Sequence, residues 1–125
     1  MNKGIKILVA DDDEYIPALL IQLLAKIGLT NVDVAHNGTE AINCLSEENY
    51  DLVITDIEMP GHNGFTVLTT TRQLYPEAKV IMMSGRIGSD PEMDARVSEA
   101  QPDASLSKPG GMASLQETVR RVLKA

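Results

Sequence analysis

Strand-like and helix-like segments alternate five times along this chain, and the alternation constrains the fold more than any other feature. Short apolar runs rich in β-branched residues recur at residues 5–10, 32–35, 52–55, 80–83 and, more weakly, 104–107. The runs are almost continuously hydrophobic, which is typical of strands covered on both faces by helices. The pattern predicts an α/β protein with a parallel sheet between two helical layers.

The segments between these runs carry the three- and four-residue spacing of amphipathic helices. The clearest stripe covers residues 16–27, ends at Gly28 and has Pro17 near its first turn, where a missing N–H is best tolerated. Further helices are predicted at residues 39–46, 65–74 and 91–100, and a last one uses Met112, Leu115, Val119, Val122 and Leu123. No repeat or linker interrupts the pattern, so residues 1–125 predict a single domain.

The composition excludes several classes of protein. Eleven Lys and Arg against eighteen Asp and Glu give a net charge of -7, which opposes binding to nucleic acid and to anionic membranes. The first apolar run meets Asp11 too early to be a signal or membrane segment. Cys44 is the only cysteine, so no intrachain disulfide can form. We therefore expect a cytoplasmic protein without direct contact to nucleic acid or membrane.

Polar residues follow the predicted strands at their carboxyl ends, where open α/β sheets bind ligands. They are Asp11 and Asp12 after the first strand, Asp56 after the third, Ser84 after the fourth and Lys108 after the fifth. Three adjacent carboxylates repel one another unless a cation joins them, and their oxygens suit Mg²⁺. Mg²⁺ and Lys108 would balance the three negative charges. One carboxylate could then attack phosphorus and form an aspartyl-phosphate.

Each of these residues also has an ordinary structural explanation. Asp12 or its neighbour Asp13 would cap the first helix well, and Asp56 could be a polar strand end. Ser84 and Lys108 could begin surface turns. Their joint occurrence at the ends of consecutive α/β units favours a functional site.

The motifs ILVADDDE, DLVITDIEMPGHNG, VIMMSG and SLSKP resemble those of the response-regulator receiver family of two-component signalling, over essentially the whole chain. The resemblance implies a flavodoxin-like fold, with a five-stranded parallel sheet in the order 2-1-3-4-5 and five helices. It implies a phosphohistidine donor on a sensor histidine kinase or a histidine phosphotransfer domain. It also implies a signalling module that catalyses only its own phosphorylation and dephosphorylation, and so is not an enzyme in the usual sense.

The same resemblance assigns the acidic residues. Asp56 is implied to be the phosphoacceptor. Mg²⁺ is implied to bind Asp12, Asp56 and the main-chain carbonyl of Glu58, with Asp11 contributing through water.

At the other strand ends, Ser84 and Lys108 are implied to contact the phosphoryl group, and the Lys108-Pro109 peptide is expected to be cis. One position departs from the family. Ser105 stands three residues before Lys108, where the family usually has the aromatic side chain of its switch. The resemblance therefore does not extend to the aromatic part of the family's switch.

Two residues beside the implied phosphate position carry opposite charges. Glu58 lies two residues after Asp56, and Arg86 lies two residues after Ser84. We predict that a charge-assisted hydrogen bond between them closes over Asp56 and hinders the water that hydrolyses the acyl phosphate. The alternative is two solvated side chains that never meet.

Two other functions use the same residues. A receiver-like interaction module that is never phosphorylated would have a defective pocket, whereas this pocket looks complete. A Mg²⁺-dependent phosphohydrolase of the haloacid-dehalogenase type needs a second Asp two residues after the nucleophile, and this chain has Glu58 there.

Overall fold

The computed structural model describes residues 4–124, which contain five strands and five α-helices in strict alternation. The elements are β1 (Ile7–Ala10), α1 (Tyr15–Ala25), β2 (Val32–Ala35), α2 (Gly38–Glu47), β3 (Leu52–Asp56), α3 (Gly64–Leu74), β4 (Lys79–Ser84), α4 (Pro91–Ala100), β5 (Ala104–Ser107) and α5 (Leu115–Lys124). A 3₁₀ helix at Gly110–Ser114 leads into α5. The strands are parallel and lie in the order β2-β1-β3-β4-β5, so the predicted flavodoxin-like fold is confirmed.

Two hydrophobic clusters cover the opposite faces of the sheet. Because successive strand residues point to opposite faces, Ile7 and Val9 of β1 join one cluster while Leu8 and Ala10 join the other. The first cluster packs beneath α1 and α5, and the second beneath α2, α3 and α4. Every residue of β1 and β3 is buried, as the uninterrupted apolar runs predicted. Within residues 4–124, no helix is long and apolar enough to cross a membrane.

The observed boundaries differ from the predicted ones mainly where the backbone leaves the sheet or the α-helix. β1 begins at Ile7 because the Lys6 amide donates to the Asp51 carboxylate. α1 ends at Ala25, and the chain turns through Gly28, whose φ of 83° suits glycine. Met112 lies in the 3₁₀ helix rather than in α5.

Side-chain caps determine where three of the helices begin. Asn37 accepts from the Glu40 amide at the start of α2, and Asn63 accepts from the Thr66 amide at the start of α3. Asp90 caps α4, directly before Pro91 in the first turn. Such caps satisfy amides that have no partner within the helix.

The loop after β3 is held against the start of α2 by a close backbone contact at Gly38. The Gly38 amide donates to the Pro60 carbonyl at 3.0 Å. A Cβ atom on Gly38 would lie 1.8 Å from the His62 carbonyl oxygen, so only glycine fits. The β3–α3 loop, which contains Glu58, therefore has its position set by α2.

We predict that Gly38→Ala destabilises the protein by about 1–3 kcal/mol, because the added methyl group must displace backbone atoms. Denaturant unfolding of the two proteins measures this difference. Gly110→Ala is the matched control, since a Cβ atom there meets nothing within 4 Å, and a change within about 0.5 kcal/mol is expected. Equal stability of the Gly38 variant and the natural protein would contradict the close contact.

Candidate functional site: an acidic pocket at the carboxyl ends of the strands

The parallel register brings the predicted site residues to one edge of the sheet. Ala10 pairs with Thr55, so Asp11 and Asp56 leave their strands side by side. Ser84 pairs with Ser107, which places Lys108 next to the end of β4. The Lys108 amide also donates to the Ser84 carbonyl at 3.0 Å.

Lys108 joins the two buried carboxylates of the pocket. Its Nζ lies 3.0 Å from Oδ2 of Asp11 and 3.2 Å from Oδ2 of Asp56. Burial lowers the pKa of Lys108, but the hydrogen bonds and negative charges of the two carboxylates more than offset this and raise it above its ordinary value. The ammonium group therefore stays charged at neutral pH. The Lys108-Pro109 peptide is cis, as predicted.

Asp56 is the acidic residue whose protonation the pocket changes most clearly. Its side chain is almost fully buried, whereas Asp12 is exposed. Burial and the neighbouring charge of Asp11 raise the pKa of Asp56 to about 6, although Lys108 and the Glu58 amide oppose the shift. A cation that binds the pocket would therefore compete with a proton below about pH 6.

Asp11, Asp12 and Asp56 form a group that suits a divalent cation. Each offers a carboxylate oxygen, and these three oxygens lie within 4.8 Å of one another. Such all-oxygen donors fit hard cations such as Mg²⁺ and Ca²⁺. Because Asp12 is exposed, the group also opens to solvent, which leaves space for water ligands or for a phosphoryl group.

Ser84 and Glu58 contact each other at the mouth of the pocket. The buried Ser84 hydroxyl donates to Oε1 of Glu58 at 3.3 Å and accepts from the Arg86 amide at 3.0 Å. The Arg86 guanidinium donates to Oε2 of Glu58 at 2.7 Å, so the predicted contact between these two residues is present. Both side chains are about half exposed.

Sequence reasoning did not identify Asp90 and Gly64 as parts of this region. The Asp90 carboxylate accepts from Nε of Arg86 at 2.8 Å, and the signals that could have revealed it are its four-residue spacing from Arg86 and the following Pro91. A Cβ atom on Gly64 would lie 2.5 Å from the Asp56 carbonyl oxygen. Gly64 thus lets the start of α3 approach the end of β3.

Two of the sequence interpretations are refined by the structure. The first-turn amide of Tyr15 is bound by Asp13 rather than Asp12, which leaves the Asp12 carboxylate to the acidic group. Ser105, which replaces the aromatic switch residue usual in the family, is exposed on β5.

Comparisons with known proteins agree with this geometry. The family model for the response regulator receiver domain matches residues 7–120. The transcriptional regulatory protein CpxR of Escherichia coli K12 is 38% identical over 120 residues, which are 95% of this chain and 49% of CpxR. The autoinducer 1 sensor kinase/phosphatase LuxN of Vibrio harveyi is 27% identical over 94% of this chain and 13% of its own length.

The fold is shared with a solved chemotaxis protein. The response regulator CheY4 of Vibrio cholerae superposes with a TM-score of 0.81 and 26% identity, covering 94% of this chain and 98% of CheY4. The chain spans about half the length of CpxR. Given the sheet order, the acidic strand ends and the family match, the chain belongs to the response regulator receiver domain family and is a signalling domain of the two-component type.

Proposed function

We propose that this domain takes a phosphoryl group onto Asp56 in a Mg²⁺-dependent reaction. The observation that carries the proposal is the contact of one ammonium group, Lys108, with the buried Asp56 and Asp11. A carboxylate so placed has a fixed cation beside it, and no neighbouring base is needed to activate it. Phosphoryl transfer depends mainly on such positioning and charge compensation.

The chain's own residues would share the work of transfer. A carboxylate oxygen of Asp56 forms the new O–P bond while the P–N bond of the donor phosphohistidine breaks, and its electron pair stays on the imidazole nitrogen. Lys108 offsets negative charge on the transferred group, and the Ser84 hydroxyl can donate to one of its oxygens. Asp11, Asp12, Asp56 and the Glu58 carbonyl would hold Mg²⁺, which when bound offsets further phosphoryl charge.

The proposed donor is a sensor histidine kinase or a histidine phosphotransfer domain. Support comes from the similarity to CpxR, a regulator, and to LuxN, a sensor kinase. A cytoplasmic location follows from this partner and is compatible with the free thiol of Cys44, which a reducing compartment preserves. The excess of acidic residues opposes direct contact of this domain with nucleic acid.

The first test is phosphorylation by a small acyl phosphate. Incubation with acetyl phosphate and Mg²⁺ should add one phosphoryl group, detected by mass spectrometry and lost in base. Asp56→Asn should remain unmodified, whereas Asp51→Asn, an exposed position before β3, should be modified normally. A phosphoryl group retained by the Asp56 variant would overturn the assignment.

The second test concerns the metal. Asp12→Asn removes one negative charge from the oxygen donors, so the Kd for Mg²⁺ should rise by at least about tenfold, or about 1.4 kcal/mol. Calorimetric titration measures it, and Asp13→Asn is the matched control because Asp13 binds the Tyr15 amide instead.

The same titration has an expected pH dependence. Because the pKa of Asp56 is raised to about 6, falling pH protonates it and should weaken Mg²⁺ binding below that value.

The Asp12 variant also has an outcome that would contradict the assignment. If Asp12→Asn and the natural protein bind Mg²⁺ with equal affinity, the metal binds elsewhere.

The third test concerns the lifetime of the phosphorylated form. If the Glu58–Arg86 pair hinders water, Glu58→Ala and Arg86→Ala should each accelerate dephosphorylation by about two- to fivefold, as expected for an exposed ion pair. The double variant should be little faster than either single one, because both remove one interaction. Glu117→Ala on the exposed face of α5 is the control. Rate increases that multiply in the double variant would reject the shared interaction.

A further inference from the structure

Arg86 connects two acidic residues that belong to different parts of the molecule. Its Nη1 donates to Oε2 of Glu58, at the mouth of the acidic pocket, at 2.7 Å. On the opposite side, Nε and Nη2 both donate to Oδ2 of Asp90, at 2.8 and 2.5 Å. One guanidinium group therefore spans the distance from the pocket to Asp90, the residue that caps α4.

The second carboxylate oxygen of each acidic residue is also engaged. Oε1 of Glu58 accepts from the Ser84 hydroxyl at 3.3 Å. Oδ1 of Asp90 accepts from the amides of Glu92 and Met93, at 3.0 and 3.2 Å, in the first turn of α4. We call the continuous set Ser84, Glu58, Arg86 and Asp90 the Arg86 network. It leads from the proposed phosphoryl site to the amide groups of α4.

We propose that Arg86 is a positioning residue through which phosphorylation of Asp56 changes the first turn of α4. The inference rests on the proposed function. The serine hydroxyl has a single proton, so Ser84 cannot donate to a phosphoryl oxygen and to Glu58 at the same time. Phosphorylation also replaces the single negative charge of the Asp56 carboxylate by the two charges of the acyl phosphate, so one negative charge is added beside Glu58. Both effects disturb the pocket end of the Arg86 network.

On phosphorylation, the ion pair between Arg86 and Asp90 is the interaction expected to break. Glu58 and the phosphoryl group both lie at the pocket, so together they attract the guanidinium more strongly than Asp90 alone. Asp90 keeps its capping bonds through Oδ1, which involve no contact with Arg86. α4 is therefore expected to shift at its start and not to unfold.

The packing of α4 allows its first turn to shift. Among the residues of α4, Met93 and Val97 are the buried ones, so few apolar contacts resist a small displacement. The preceding loop is attached by Ile87, which packs against the second hydrophobic cluster, and by polar bonds, including one from the Gly88 amide to Asp94 at 2.8 Å. Ser105, on the neighbouring strand β5, supplies no large side chain for coupling by another route.

Coupling between two sites is reciprocal, so each end of the network has a predicted effect on the other. Asp90 attracts Arg86 away from the pocket, and Asp90→Asn removes that attraction while an asparagine still caps the helix. Phosphoryl-analogue affinity should therefore rise by about two- to fivefold in Asp90→Asn, and fall by a similar factor in Arg86→Gln. Opposite changes from two partners of one ion pair are not expected from general destabilisation.

The experiment is a titration of the ¹⁵N-labelled chain with beryllofluoride, a phosphoryl analogue, in the presence of Mg²⁺. In the natural protein, the amide signals of Glu92, Met93 and Asp94 should move as the analogue binds. In Arg86→Gln and Asp90→Asn, those movements should shrink at least about threefold at saturation, while the Asp56 and Ser84 amides still respond. Arg121→Gln, on the exposed face of α5, should behave like the natural protein.

The outcomes separate the two proposals. If the natural protein fails to bind beryllofluoride with Mg²⁺, the proposed function is wrong. If it binds and the α4 signals move as far in Arg86→Gln and Asp90→Asn as in the natural protein, the coupling through Arg86 is wrong while the proposed function stands. Affinity changes of the same sign in the two variants would also overturn the coupling.

Discussion

The contact of Lys108 with Asp11 and Asp56 is the interaction on which the rest of this structure depends. Two carboxylates are buried side by side, which is costly without a cation because burial and mutual repulsion both oppose their ionisation. The ammonium group compensates one charge and leaves the pocket negative. That residual charge, together with the exposed Asp12, makes the pocket suitable for a divalent cation and then for an incoming phosphoryl group.

The parallel sheet is what makes this contact possible. Lys108 and Asp11 are separated by 97 residues, yet they meet because strands that all run in one direction end at the same edge. Backbone contacts at Gly38 and Gly64 then hold the loop after β3 in place. The rigid sheet and these close contacts reduce the freedom of the pocket residues, which would favour the proposed phosphoryl transfer.

At the mouth of the pocket, the interactions are of a different kind. Glu58 and Arg86 are about half exposed, so their ion pair is weak, screened by salt and easily exchanged. Weak bonds of this type suit the change that we propose for this region on phosphorylation. The buried ion pairs of Lys108 provide a fixed geometry, whereas the exposed pairs of Arg86 can exchange partners. The Glu58 amide, which donates to Oδ1 of Asp56 at 3.4 Å, links the two regions.

The sequence alone determined the number and order of the elements, the parallel sheet and the residues at its carboxyl edge. Hydrophobic periodicity is a local property, and the runs at Val32–Ala35 and Ala104–Ser107 and the helix Pro91–Ala100 appear with their predicted bounds. The contact of Glu58 with Arg86 was also expected, because both follow strand ends that lie next to each other in the sheet.

Only the tertiary structure decided the side-chain contacts of the pocket and its surroundings. It assigned the helix-start bond to Asp13 and left Asp12 in the acidic group, and it placed Asp90 on both Arg86 and the first turn of α4. It also revealed that Gly38 and Gly64 meet backbone atoms of distant residues. Spacing along a chain specifies which face or strand end a residue occupies. Hydrogen-bond partners and close approaches depend on distances of a few ångström between segments, which follow only from how the helices pack on the sheet.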